Sequence, residues 1–203
     1  MPFVPQTMAL SMVQKASSLG LAGSKVMPEF IAISNGICTY IPLSAIVTTT
    51  NVVLGPGTGT WTGPVTALIP NSMSSMMILK ASESMVVGRD TRKFFDAISF
   101  GVCQTIMSSV IAQGTVVGGG PGTGTGKVTG LVPSNLEQQI VLNLGQQLLV
   151  GGKTNPVISA VAYGICTYIL SAATIIATCI GFFAPPPTGP IPIPGLIGTG
   201  KLV

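Results

Sequence analysis

One apolar segment occurs three times in this chain, and the triplication restricts the possible folds more than any other feature. The copies read Glu29-FIAISNGICTYI-Pro42, Lys93-FFDAISFGVCQTI-Met107 and Pro156-VISAVAYGICTYI-Leu170. Superposed on Gly36, Gly101 and Gly164, each has an alanine four residues earlier (Ala32, Ala97, Ala160) and a cysteine two residues later (Cys38, Cys103, Cys166). Each copy is long and apolar enough to be a buried helix. A central glycine costs about 1 kcal/mol in a helix relative to alanine. Three such glycines therefore imply a packing reason. Ala-x-x-x-Gly places two small residues on one helix face, where a second helix can approach closely.

The repeat extends beyond this segment. From Val4-Pro5, Ile69-Pro70 and Val132-Pro133 the copies align without a gap to Gly23, Gly88 and Gly151 and on to the Gly-x-Cys core, at offsets of 65 and 63 residues. Copies one and three share GICTYI, whereas copies one and two share GPGTGT (Gly55 to Thr60, Gly120 to Thr125). The chain therefore divides into residues 4–68, 69–131 and 132–203, the last with a proline-rich C-terminal arm.

Within each unit a first helix is expected over residues 7–22, 72–87 and 135–150. Gly23, Gly88 and Gly151 are placed just past its end, where positive φ is needed, and Ser134 with Glu137 fits a capping box. The second helix is the shared segment, continuing for 20 or more residues, with Pro42 kinking or shortening it in copy one. Alternating glycine and threonine cannot hold a helix and is expected to run as extended chain along a neighbouring subunit. The expected fold is mainly α: three tandem helical-hairpin repeats of about 65 residues, with extended Gly/Thr/Pro-rich arms and short β segments.

Chemistry finds little support in this composition. There is no histidine, and only 7% of residues are charged. The five acidic residues, Glu29, Glu83, Asp90, Asp96 and Glu137, never recur at one repeat position, so no paired-carboxylate site is implied. GPGTGTGKVT resembles a phosphate-binding loop only in part, since Pro121 and Val128 stand where that motif needs glycine and a hydroxyl. Three cysteines with neither histidine nor a close CxxC pair make a poor zinc signature and read as reduced, buried thiols; Cys179 is a further thiol with no visible partner. Nine scattered basic residues form no nucleic-acid stripe. The amino-terminal residues show no signal-peptide pattern. No enzyme activity, cofactor, metal or nucleic-acid partner is therefore expected.

Two non-enzymatic readings remain. Residues 30–79, 97–126 and 154–200 contain no charged side chain, and such a surface would be largely apolar unless covered. Lipid could cover it, giving an oligomeric membrane protein such as a small pore or holin-like component. Asn35, Gln104, Gln113 and Pro42 in the apolar segments, and the absence of a basic loop bias, speak for protein neighbours instead. The Gly/Thr segments at Gly55–Thr60, Gly120–Gly126 and Gly198–Lys201, with the triplicated apolar helices, resemble small structural proteins of tailed-phage virions, in contractile tails and baseplates. That resemblance implies a structural subunit, assembled in the host cytoplasm into a virion, whose partners are copies of itself and other structural proteins.

Overall fold

The computed structural model describes residues 3–21, 23, 26–55, 58–117, 122–149, 151–152, 154–179 and 197–202. Two helices and two strands recur in the same order three times. They are α1 (Pro5–Ser18), α2 (Val26–Ser44), β1 (Ile46–Gly55) and β2 (Thr58–Thr66), then α3 (Pro70–Glu83), α4 (Thr91–Ser109), β3 (Ile111–Val117) and β4 (Gly122–Thr129), then α5 (Pro133–Gln146), α6 (Thr154–Ala172), β5 (Ile175–Cys179) and β6 (Ile197–Leu202). The first helix of each unit has 14 residues and the second 19.

The helices form a closed ring in chain order, with α6 packing back onto α1. The strands form a closed antiparallel barrel, β1 to β6, with β6 paired to β1 from Ile46↔Lys201 to Thr50↔Ile197. The second helix of each unit runs into the barrel and the second strand runs out of it into the next helix, so the barrel occupies one pole. The three helix-hairpin connections lie at the other.

The barrel overturns the expected mainly α repeat of helical hairpins with extended arms and short β segments. Part of what was assigned to long second helices, residues 46–50, 111–115 and 175–179, is strand, and the Gly/Thr segments pair with those strands inside the same chain. Most of the C-terminal arm, residues 180–196, and residues 56–57 and 118–121 lie outside the described residues. The physical reason is the alternation itself. Strand side chains point alternately to the two faces, and in a barrel of only six strands the inner face has little room. Glycine can be the inward residue: Gly59 and Gly63 on β2, Gly124 and Gly126 on β4 and Gly200 on β6 face in, while Thr62, Thr66, Thr125 and Thr129 face out. A Gly-Thr repeat is thus an inside-outside pattern in which glycine replaces the usual apolar residue.

One residue breaks this pattern and fills the lumen. Trp61 is fully buried, and its indole edge reaches across to β3 and β4. A Cβ added at Gly126 would sit 2.4 Å from Trp61 Cζ2, and one at Gly114 2.6 Å from the same atom. By register the counterparts of Trp61 are Gly124 and Gly198: Val47↔Val65, Ala112↔Val128 and Ile175↔Leu202 align the three hairpins. Three tryptophans could not share one narrow axis. One tryptophan and two glycines can.

The helix ends also differ from expectation. The positive-φ residue after the first helix is Gly20, Met85 or Leu148, three residues before the glycines proposed for that role. In each copy the following N–H bonds five residues back, as in Leu21 to Ala16, Val86 to Ala81 and Leu149 to Leu144, which closes the helix as a Schellman motif. Gly88 and Gly151 instead donate to Thr91 Oγ1 (2.6 Å) and Thr154 Oγ1 (2.8 Å) at the start of the second helix. The capping box at Ser134 is absent, since α5 starts with Val132 as N-cap and Pro133 in its first turn. Pro42 lies within α2, which has the same length as α4 and α6.

Replacing Trp61 by alanine should lower stability by about 3–5 kcal/mol, the usual range for emptying a large aromatic site. Urea unfolding followed by circular dichroism measures this, and a loss below about 1 kcal/mol would show that the lumen does not depend on the indole. Native fluorescence should also be strongly blue-shifted, because this single tryptophan is dry.

Candidate functional site

The sequence-selected residues lie along the seams between repeats. Gly36 of α2 faces Met77 of α3, Gly101 of α4 faces Ile140 of α5, and Gly164 of α6 faces Met12 of α1. A Cβ at these glycines would meet the facing backbone nitrogen at 2.9, 3.0 and 2.9 Å respectively, so the helices touch backbone to backbone. Met12, Met77 and Ile140 are equivalent, and each fills the notch left by the preceding repeat. The third notch joins the last repeat to the first and closes the ring. Ala32, Ala97 and Ala160, one turn away from the glycines on the same helices, are fully buried.

Each of these residues also meets its own repeat. Ser34 Oγ lies 3.8 Å from Met12 Sδ, and Ser99 Oγ lies 3.6 Å from Met77 Sδ. In copy three both partners change together, to Ala162 and Ile140, so no buried hydroxyl is left unpaired.

A tyrosine secures the junction with the barrel. Tyr40 Oη accepts the N–H of Ile69, 2.7 Å away, just before α3. Tyr168 Oη accepts the N–H of Val4 just before α1, and its ring stacks against Phe3 at 5.8 Å. Burial raises its pKa. The middle copy has Thr105 at this position, too short for the same reach, and its buried hydroxyl has no partner.

Cys38, Cys103 and Cys166 are free and buried within the ring, and burial pushes each thiol up to about 12. They stay protonated and unreactive, as apolar surroundings require. Among the described residues no three His, Cys, Asp or Glu side chains converge on a possible metal position. Lys127, the lysine of the phosphate-loop comparison, lies on β4 and faces outward.

An open cavity of about 650 Å³ lies at the hairpin pole. All three repeats line it, which places it on the pseudo-threefold axis. Its walls are apolar, with Phe94, Phe95, Val86, Leu149 and Val157, and Glu29 and Asp90 are its ionisable groups among the described residues. Sequence reasoning missed this cavity because Glu29, Phe94 and Val157 share a repeat position but not a chemistry. Comparison with protein families, with curated proteins and with solved structures finds no match to this chain.

Gly101→Ala should destabilise the protein by about 1–3 kcal/mol, although alanine favours a helix, because the facing backbone of α5 cannot withdraw. A stabilised variant in chemical denaturation would refute the close contact. The thiols generate a pH dependence. Their folded pKa is raised above the ordinary 9.0, so the unfolded chain releases protons that the folded chain keeps. Their contribution is complete below pH 9 and is lost as pH rises from about 9 to 12. The alkaline loss should shrink in a variant carrying Cys38→Ala, Cys103→Ala and Cys166→Ala, compared at each pH by urea midpoint.

Proposed function

We propose that the chain is a structural subunit of a virion or tail-like particle, assembled in the host cytoplasm, with copies of itself and other structural proteins as partners. The barrel wall carries the argument. Among the described strand residues only Lys127 and Lys201 are charged. The described outward side chains are chiefly threonines, among them Thr48, Thr62, Thr125 and Thr178, with exposed Ile46, Ile111 and Ile176 between them. A water-facing surface usually carries charge on about a quarter or more of its residues. This one suits burial against protein. Because the barrel closes, no strand edge is free to accept a neighbour's strand, so contacts run through these side chains and not through added strands. The internal threefold also lets one chain present similar surfaces to threefold-related neighbours.

The alternative, an oligomeric membrane protein, draws on α2 and α6, which are long and apolar enough to span a bilayer at mean hydropathies of 1.2 and 1.3. Half of each span is buried inside the protein, and the equivalent α4 does not qualify among the described residues. All three occupy equal places in one ring, so a bilayer would have to accept α4, with Arg92, Lys93 and Asp96, as well. That observation favours the particle.

Under the structural reading, the chain should leave cells in the soluble fraction without detergent, and gold-labelled antibody should decorate isolated particles at defined positions. Release from membranes only after detergent treatment would replace this reading with the alternative.

A further inference from the structure

We infer that the hairpin pole is a self-docking surface, on which Met85 and Leu148 of one copy seat in the axial cavity of a second copy. Both residues sit at left-handed backbone positions, φ 53° and 58°, which are strained for bulky side chains and which copy one fills with Gly20. Both are almost wholly exposed, at 93% and 90%. Within one chain their side chains gain almost nothing from that strain. Leu148 stands at the rim of the cavity, and Met85 adjoins Val86 in its wall. The pole therefore carries two apolar knobs and one apolar recess, the self-complementary set that a twofold contact requires. Its charges also suit a second copy: Glu29 and Asp90 line the recess, Asp90 lying 3.7 Å from Lys93 of its own chain, while Arg89 is exposed beside it. A twofold axis across the pole brings Arg89 of one copy towards the carboxylates of the other.

The inference extends the structural reading, with a second copy as the partner at this pole, but it can be tested on the purified chain alone. Sedimentation velocity from micromolar to half-millimolar protein should show the mass rising from monomer towards dimer. Met85→Gly and Leu148→Gly should each weaken pairing at least tenfold, and the double variant should remain monomeric. Their melting temperatures should be unchanged or higher, because glycine adopts positive φ without strain. A wild-type chain that stays monomeric throughout would overturn the inference. So would dimers that persist in the double variant, or glycine variants that melt earlier, since the two side chains would then serve the fold. None of these outcomes alters the particle-labelling result, so failure here and failure of the structural reading are separable.

Discussion

The structure depends on backbone contact between helices of successive repeats. At Gly36, Gly101 and Gly164 the second helix of one unit lacks a side chain where the first helix of the next unit presses against it. The contact is cyclic, and this has a consequence beyond packing. A single hairpin unit would leave one notch empty and one knob bare, and two units in line would still do so. Only the third unit, returning Gly164 to Met12, leaves neither. The ring is therefore a cooperative object, and the barrel follows from it, since six strands delivered by three equivalent hairpins close on themselves.

Threefold repetition conflicts with a filled axis, and the chain resolves this differently at each level. In the barrel, one tryptophan and two glycines share the lumen, and the indole lies where Gly114 and Gly126 leave space. Its N–H has no partner among the described residues, nor has the Thr49 hydroxyl, which also faces inward. That polar cost is accepted where the whole large ring is removed from water. At the other pole the axis is left open as a cavity. In the seams, replacements come in pairs, as when Ser-Met becomes Ala-Ile in copy three. The middle copy alone keeps an unmatched change, at Thr105.

Charge is distributed as unevenly as size. The helical layer holds every acidic residue and most basic ones, while the described barrel wall is chiefly threonine with isolated isoleucines and Lys127. The two poles therefore favour different neighbours. The helical pole combines apolar relief with both signs of charge, and the barrel wall offers a neutral surface that gains from exclusion of water but has no strand edge to extend.

The triplication, the positions of both helices and the need for a flat face at Gly36, Gly101 and Gly164 were legible in the sequence, because helix packing is governed by spacings of three and four residues. The ends of the first helices were misplaced by four residues, since Met85 and Leu148 occupy a site where glycine is the unstrained choice and a glycine stood nearby. The barrel was not legible. Alternating Gly and Thr specifies extended chain, but pairing partners in a sheet are chosen across long sequence separations, as with Ile46 and Lys201. Whether such chain lies on a neighbour or closes on itself depends on where the helical ring delivers its ends, and that is settled only when α6 packs against α1. Local chemistry thus determined the repeating unit and its small-residue faces. Tertiary closure decided the barrel, the role of Trp61 and the cavity on the axis, because each is formed by residues from different repeats that no local pattern connects.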